Sequence, residues 1–181
     1  RTTPLLLLSM AAGLTMARIR EMAGGDYPVI RIMPNTAVEV GEGVTMYCCT
    51  DNVTEAQREG FVSLLHLSGL LEEMDEKLLD VGSAVAGCGG AFACLMMEAL
   101  ADGGVYAGLP RATAQRYAAQ MLLGTAKLAL EKGEHTGAMK DAICSPGGTT
   151  IAGVRVLEQR GFRAAAMDAV IAAYERTSQL K

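Results

Sequence analysis

Residues 29 to 36 read Val-Ile-Arg-Ile-Met-Pro-Asn-Thr, and this stretch decides how the first part of the chain is interpreted. Val29 to Met33 is a short run rich in strand-forming residues, and Pro34-Asn35-Thr36 is typical of a turn. The stretch therefore predicts a strand that ends at a turn.

The residues before this strand predict a second strand and a helix. Leu5 to Leu8 is a block of four Leu that predicts a buried strand, and the sequence from Ser9 to Gly13 reads as a turn. Leu14 to Glu21 has the pattern of an amphipathic helix. This apolar run behind Arg1 has the composition of a signal peptide, but strand, turn and helix in succession are the unit of a parallel sheet.

The residues after the strand continue the alternation. Val44 to Thr50 predicts a third strand, and Thr54 to Leu67 predicts a helix in which Thr54 and Gln57 form a capping box. Strands that alternate with helices indicate an α/β sheet. The chain holds no G-x-G-x-x-G between a strand and a helix, and Gly87-Cys88-Gly89-Gly90 lies in helical sequence. We therefore expect only part of such a sheet, in a chain that starts partway through a domain.

The composition changes after Gly69-Leu70-Leu71. From Glu72 onward no strand is predicted, the helices are Ala-rich, and the domain boundary is expected between residues 70 and 77. Leu78 to Leu100 is apolar nearly all round, which predicts a helix buried on most faces. Four further helices are predicted: Arg111 to Gly133, Thr136 to Ile143 with Thr136 as its cap, Ile151 to Arg160, and Arg163 to Leu180.

The apolar helix also bears on assembly. About 100 residues of neighbouring helices give little cover for a helix of this composition, so we expect homo-oligomerisation through the helical half. The Met residues from Met74 onward suit adaptable helix packing.

Composition excludes several classes of function. A net charge of −4, 4% aromatic residues and the lack of a basic run argue against nucleic-acid binding. No run reaches the ~18 apolar residues that span a membrane. The five Cys include no C-x-x-C pair and lie near no His at ligand spacing, so we expect no metal site and reduced, mostly buried thiols in a cytoplasmic protein.

The stretch Cys144-Ser145-Pro146-Gly147-Gly148-Thr149-Thr150 is the strongest candidate for a binding site. A hydroxyl, a Pro turn and two Gly ahead of a helix leave backbone N–H groups free and allow a ligand to approach the main chain. The helix N-terminus carries roughly +0.5 of a charge, which favours a carboxylate or phosphate. The alternative is that Thr149 or Thr150 is simply the N-cap of its helix.

Five motifs in register resemble Δ1-pyrroline-5-carboxylate reductase. The most specific runs from Ile143 to Val154 and continues to Leu157-Glu158. The others are Ala11-Ala12-Gly13, Arg31 to Thr36, Ala99 to Val105 and Gly108-Leu109-Pro110-Arg111. The resemblance extends over the whole chain.

The resemblance implies a reductase that transfers hydride from NADPH or NADH to Δ1-pyrroline-5-carboxylate, giving L-proline in the last step of proline biosynthesis. It implies residues 1–74 as the second half of a Rossmann-type α/β domain and residues 75–181 as an all-α dimerisation and substrate-binding domain. Dimers of this family often assemble into decamers. No nucleic-acid or membrane partner is implied.

The resemblance also assigns roles to individual residues. Ser145, Gly147, Gly148 and Thr149 correspond to residues that bind the substrate carboxylate, and Thr150 to the residue that orients the imine as the catalytic group. Glu76 matches an acidic residue close to the bound ring; the alternative is a solvated acid at a helix start. The cofactor-binding candidates are Met10, Ala11, Ala12 and Asn35, and Asn35 has the alternative of a plain turn residue.

The chain departs from the family pattern at Ala86-Gly87-Cys88-Gly89-Gly90-Ala91-Phe92, where relatives commonly have S-G-S-G-P-A-Y. Gly90 replaces a Pro that packs beside the nicotinamide, and Phe92 replaces a Tyr. The rival interpretations are a related imine or hydroxy-acid reductase, which would normally carry a catalytic Lys on the long helix, and a dimerising helical fragment with no activity of its own. Leu78 to Leu100 contains no Lys.

Overall fold

The computed structural model describes residues 5 to 179. The chain forms two compact units: one comprises the chain up to Gly90 together with the segment from Asp168 onward, and the other is Ala91–Met167. The first unit holds a small sheet with helices, and the second is helical. This is the α/β part followed by a helical part that the sequence predicts.

The sheet has four strands in the order in which they occur along the chain. They are β1 (Leu7–Ser9), β2 (Val29–Pro34), β3 (Gly43–Cys49) and β4 (Gly69–Glu73). Helix α1 (Met16–Ala23) connects β1 to β2, which pair in parallel, and α2 (Glu55–Leu65) connects β3 to β4, which also pair in parallel. The predicted strand–helix–strand unit is therefore confirmed, and α1 begins two residues later than expected.

The pairing between β2 and β3 is antiparallel, so the sheet is mixed rather than parallel throughout. Only a short 3-10 helix, Thr36–Val40, and a few turn residues connect these two strands. A parallel crossover needs a dozen or more residues, so a connection of this length returns the chain in the opposite direction.

Two expectations about the edges of the sheet are wrong. Strand β4 continues through Glu72 and Glu73, where no strand is predicted. The sequence here lacks the alternation of apolar and polar residues that is typical of a strand, but pairing with β3 stabilises the strand. Strand β1 is not buried: it lies at the edge of the four-stranded sheet, and the side chains of Leu5 and Leu8 are exposed.

Apolar side chains cover both faces of β2 and β3. Ile30, Ile32 and Tyr47 pack with Phe61 of α2, and the rings of Tyr47 and Phe61 meet edge to face with centroids 5.0 Å apart. A second cluster, on Met33, Met46, Cys48 and Leu79, includes the long helix α3 (Glu76–Tyr106). The predicted capping box of α2 is present: Thr54 accepts the Gln57 N–H, and the Gln57 side chain accepts the Thr54 N–H.

Helix α3 is longer than predicted, and it is not buried on most faces within this chain. The side chains of Val85 and Leu95 are 59% and 67% exposed. By length and composition α3 could cross a membrane, and 11% of its most apolar window is buried. The expectation that no run is long enough to span is therefore wrong: from Leu78 to Leu100, Asp80 and Glu98 are the only charged residues of the helix.

The helical unit is built on the C-terminal part of α3 and on shorter helices. These are α4 (Arg111–Lys132), α5 (Thr136–Ile143), α6 (Thr149–Gln159) and α7, which runs from Phe162 to Ser178. Gly133 closes α4 in the left-handed conformation, as predicted. The predicted end of α7 at Leu180 lies outside the described residues. The packed core here is small, with Ala101, Ala114 and Ala118 as its buried members.

Two predicted helix starts differ from the observed ones. His135, not Thr136, is the N-cap of α5, and its Nδ1 accepts the N–H of Gly137 at 3.0 Å. Helix α6 begins at Thr149, two residues earlier than expected, because Gly148 already has the extended backbone of an N-cap.

Candidate functional site

The loop between α5 and α6 is a tight turn that the Pro-Gly sequence explains. The N–H of Gly148 donates to the Ser145 carbonyl at 3.0 Å, and Gly147 has φ +67°. Pro146 presets the first central residue of such a turn, and Gly tolerates positive φ at the second. The chain therefore reverses direction directly before α6.

The N-terminus of α6 has no capping side chain among the described residues. Its N-cap is Gly148, which has no side chain, and both Thr149 and Thr150 lie inside the first turn of the helix. The alternative in which one of these Thr caps the helix is therefore wrong. The first N–H groups of the helix have no partner within the helix, and this end carries the positive part of the helix dipole.

Close packing inside the turn explains why position 148 is Gly. A Cβ built on Gly148 would lie 2.4 Å from the Ser145 hydroxyl oxygen. Any side chain at this position would push the Ser145 hydroxyl out of the turn. The Ser145 side chain and the start of α6 are thus held side by side.

Thr150 lines a small apolar cavity of about 210 Å³ between α4, α5 and α6. Met139 and Ile143 form part of its wall. Lys140 also lines it, and sequence reasoning did not single out this cation. A hydrogen bond to the Asp141 carboxylate raises the pKa of Lys140, so the ammonium stays charged at neutral pH. In the sequence, the one sign of a role for Lys140 is its position four residues before Cys144, where the candidate loop begins.

Met10, Ala11, Ala12 and Asn35 follow neighbouring parallel strands. The turn from Met10 to Ala12 comes directly after β1, and Asn35 comes directly after β2. Because Ser9 pairs with Arg31 in a parallel register, both segments emerge at the same edge of the sheet. Ligands of open α/β sheets bind at the carboxyl ends of the strands.

Glu76 is the first residue of α3, and its carboxylate is engaged by the start of α1. Its Oε1 accepts the Met16 N–H at 2.6 Å and lies 3.7 Å from Nη1 of Arg31. Glu76 also lines an open cleft of about 400 Å³ beside Cys48 and Met74. It is therefore not a solvated acid at a helix start: one oxygen holds the N-terminus of α1, and the residue borders a cleft.

Arg31 is a buried cation that sequence reasoning did not assign to the site. Its side chain is 2% exposed, and its Nη2 donates to Oδ1 of Asp80 at 2.8 Å. Its Nε has no hydrogen-bond partner among the described residues. The signal in the sequence was a charge in the centre of an apolar strand, together with an Asp in an otherwise apolar helix, because a buried charge requires a partner.

Two of the cysteine thiols, those of Cys48 and Cys49, are held in the protonated form at neutral pH. Burial, together with the nearby Glu76 carboxylate, raises the pKa of Cys48 to about 12, and burial with Glu73 raises that of Cys49 to about 11. All five thiols are free, but Cys48 alone is fully buried and Cys94 is exposed, so the expectation of mostly buried thiols is wrong. Within residues 5 to 179, no three His, Cys, Asp or Glu side chains cluster as a metal site.

The candidate residues divide between the two units. Met10, Ala11, Ala12, Asn35 and Glu76 belong to the sheet unit, where the Glu76 carboxylate contacts the helix that follows the Met10 turn. Ser145, Gly147, Gly148, Thr149 and Thr150 belong to the helical unit.

Comparison with known proteins identifies the family. The profile described as pyrroline-5-carboxylate reductase dimerisation matches residues 76 to 180. The chain belongs to the pyrroline-5-carboxylate reductase family. It is 47% identical to the pyrroline-5-carboxylate reductase of Synechocystis over 97% of its length, and 41% identical to that of Escherichia coli. It spans 65% of the length of each of these curated relatives.

Solved pyrroline-5-carboxylate reductases have the same fold. The Plasmodium falciparum enzyme, whose structure has NADP bound, superposes with a TM-score of 0.90 at 34% identity, over 96% of this chain and 70% of that one. The Streptococcus pyogenes enzyme gives a TM-score of 0.91 at 33% identity, over 96% and 67%. An archaeal ketol-acid reductoisomerase, at 17% identity and a TM-score of 0.53, is similar in fold alone.

Proposed function

We propose that the complete protein containing this chain is a pyrroline-5-carboxylate reductase. It transfers hydride from NADPH or NADH to the C=N bond of Δ1-pyrroline-5-carboxylate and produces L-proline. Family membership supports this reaction, and so do the reductase names of its relatives. The main observation in support of this function is the uncapped N-terminus of α6 after the Ser145–Gly148 turn, which can bind one small carboxylate.

In this proposal Ser145, Gly147, Gly148 and Thr149 bind the substrate carboxylate. The first backbone N–H groups of α6 supply donors, the helix dipole adds electrostatic attraction, and the Ser145 and Thr149 hydroxyls add further donors. The turn is preformed, so little conformational entropy is lost when the anion binds.

Thr150 then orients the imine. Thr150 lines the cavity of about 210 Å³, which has few polar groups. The walls formed by Met139 and Ile143 suit a saturated ring. The hydroxyl can hold the ring nitrogen while the residues directly before Thr150 bind the carboxylate. Lys140 also lines this cavity, with its ammonium paired to the Asp141 carboxylate.

The cofactor side of the proposal comprises Met10, Ala11, Ala12 and Asn35, at the carboxyl ends of β1 and β2. These residues fit the nicotinamide end of a dinucleotide, since the turn is partly exposed and Gly89 and Gly90 have open space beside them. When bound, the dihydronicotinamide supplies the hydride. Glu76 is proposed to approach the substrate ring with its second carboxylate oxygen, because Oε1 already accepts the Met16 N–H.

This chemistry needs little acid–base machinery. A protonated imine is already electrophilic, so holding it in position and stabilising its charge supply most of the rate. The charged Lys140 and the protonated Cys48 offer no group that titrates near neutral pH. We propose that the proton on the ring nitrogen comes from solvent or arrives with the substrate.

The domain assignment is part of the proposal. Residues 1–74 form the C-terminal part of an NAD(P)-binding domain, and residues 75–181 form the dimerisation and substrate-binding domain. The exposed apolar side chains of α3 and α4 and the dimerisation profile support a homodimer. Assembly into decamers is proposed on the family resemblance, and a cytoplasmic location is proposed on the expectation of reduced thiols.

A related hydroxy-acid reductase is the weaker candidate. The longer α3 includes Lys77, but this residue is 78% exposed and pairs with Asp75. A Lys side chain this exposed is not buried in a closed active site.

The test is reductase activity of the complete protein with substitutions at Thr150. Wild type should oxidise NADPH in the presence of Δ1-pyrroline-5-carboxylate, and Thr150→Val should lower kcat/KM by about 100-fold through loss of the hydroxyl. Thr150→Ser keeps the hydroxyl and should retain activity within about threefold. Unchanged kcat/KM in Thr150→Val would remove Thr150 from the mechanism, and absence of substrate-dependent oxidation in wild type would reject the function.

A further inference from the structure

The side-chain amide of Asn35 connects three segments of the sheet unit. Its Nδ2 donates to the Ala86 carbonyl of α3 at 3.1 Å, and its Oδ1 accepts the Val44 N–H of β3 at 3.1 Å. The residue itself follows β2 and is the N-cap of the 3-10 helix that begins at Thr36. Asn35 therefore ties the ends of two strands to a turn of α3.

The turn that Asn35 holds is rich in Gly. Gly87, Gly89 and Gly90 follow Ala86, and each Gly lowers the stability of a helix interior. Ala86 packs against the cluster of Met33, Met46, Cys48 and Leu79, whereas a Cβ at Gly89 or Gly90 would meet nothing within 4 Å. The Asn35 bond supplies the Ala86 carbonyl with a donor in addition to the N–H of Gly90, its helical partner at i+4.

The preceding turns of α3 are fixed to the sheet by other contacts. Asp80 pairs with the buried Arg31 of β2, and Gly82 lies so close to β3 that a Cβ there would be 2.4 Å from Sδ of Met46. The Asn35 bond extends this anchoring to Ala86, next to the glycines.

Both ends of the Asn35 side-chain amide are engaged by protein groups. The amide has two donor positions and two acceptor positions, and protein groups occupy one of each. These two bonds fix the orientation of the Asn35 side chain.

We propose that Asn35 is a positioning residue, which fixes the Ala86–Gly90 turn of α3 so that its bare backbone stays in place beside the bound cofactor. This inference rests on the proposed reductase function. Asn35 then contributes to the cofactor side of the site by holding the main chain of α3 in place.

The first test compares Asn35→Asp with Asn52→Asp in the complete protein. In Asn35→Asp the new carboxylate would keep the acceptor for the Val44 N–H but would face the Ala86 carbonyl without a donor. Asn52 is a matched control, since its amide also bridges two segments, donating to the Asp26 carbonyl and accepting from Thr50, away from α3.

The expected results separate positioning from general stabilisation. Asn35→Asp should raise KM for NADPH about tenfold, as expected for loss of one hydrogen bond, with KM for pyrroline-5-carboxylate within about twofold of wild type. Amide hydrogens of residues 87 to 91 should exchange about tenfold faster. Asn52→Asp should change neither KM nor that exchange rate.

A second test uses the i+4 partner of Ala86. Gly90→Ala adds a methyl into open space and raises the helix propensity of this turn by about 1 kcal/mol without touching Asn35. If Asn35 holds the turn, the Tm gain from Gly90→Ala should be about 3 °C larger in the Asn35→Asp background than in wild type.

The outcomes are distinguishable from failure of the proposed function. If wild type shows no reductase activity, the function fails, while exchange and Tm still decide whether Asn35 holds the turn. If wild type is active and Asn35→Asp leaves KM for NADPH unchanged, the positioning role is wrong, whatever the exchange shows. An equal Tm gain from Gly90→Ala in wild type and in Asn35→Asp would also overturn it.

Discussion

The Ser145–Gly148 turn shows how one missing side chain shapes a binding site. Gly148 has φ −77°, which any residue can adopt, so the requirement for Gly is steric rather than conformational. A Cβ there would collide with the Ser145 hydroxyl. The residue matters because it lets a hydroxyl and a helix N-terminus lie side by side.

Gly148→Ala should therefore damage substrate binding more than stability. We expect KM for pyrroline-5-carboxylate to rise about tenfold, since the displaced Ser145 and α6 N–H groups lose roughly one hydrogen bond to the carboxylate. Gly153→Ala, in the interior of α6 with open space around it, is the control and should leave KM unchanged. Equal KM values for the two variants, measured by NADPH oxidation, would contradict the role of the turn.

The buried Cys48 thiol predicts a pH dependence of stability. Its pKa is raised from 9.0 to about 12 in the folded chain, so between these values the unfolded chain has lost a proton that the folded chain keeps. Stability from this thiol is fully present below pH 9 and falls as pH rises from there. Between pH 8 and pH 10.5, the free energy of unfolding measured with urea should fall less for Cys48→Ala than for wild type. For Cys94→Ala, whose thiol is exposed, it should fall as much as for wild type.

The ion pair between Arg31 and Asp80 attaches helix α3 to the sheet. Its burial makes the pair important for stability. Arg31 and Asp80 are both buried, and the low local polarity makes an unpaired charge costly. The first turns of α3 depend on this pair, which also sets the position of Glu76 one turn earlier.

Asp80→Asn should cost about 3 kcal/mol of unfolding free energy, because it removes the closer carboxylate from the buried Arg31 guanidinium and leaves Glu76, 3.7 Å away, as the remaining counter-charge. Asp102→Asn, which breaks an exposed pair with Arg111, should cost less than about 1 kcal/mol. Replacing both partners, as in Arg31→Met/Asp80→Leu, should recover most of the loss. Similar costs for Asp80→Asn and Asp102→Asn in chemical denaturation would show that the buried pair does not anchor the helix.

At the scale of the whole molecule, a single chain leaves much apolar surface exposed to solvent. Large side chains of α3, α4 and α7 are exposed, and the core of the helical unit consists mainly of small Ala residues. Exposed apolar side chains in this number are typical of an interface, and the dimerisation profile covers these helices.

We expect the protein to sediment as a dimer or larger assembly at micromolar concentration. Leu95→Glu, on α3 and 67% exposed, should shift it toward monomer, because a charge would be buried in the interface. Leu64→Glu, on α2 of the sheet unit and 74% exposed, is the control and should leave the assembly unchanged. A wild-type monomer in analytical ultracentrifugation would reject the assembly.

The sequence by itself determined the family, the fold class and most element types. The strand at Val29, the capping box at Thr54 and the Pro-Gly turn before α6 are local patterns whose physics acts within a few residues. The family motifs are local in the same sense. These features were predictable because neighbours along the chain decide them.

Only the tertiary structure decided the pairings between distant residues. The antiparallel return of β3, the edge strand β4, the Arg31–Asp80 pair and the bond from Asn35 to Ala86 all join segments far apart in sequence. No local pattern encodes which partner a buried charge or amide will meet. The partner emerges only when the helix packs on the sheet, because each buried polar group must then find a donor or acceptor.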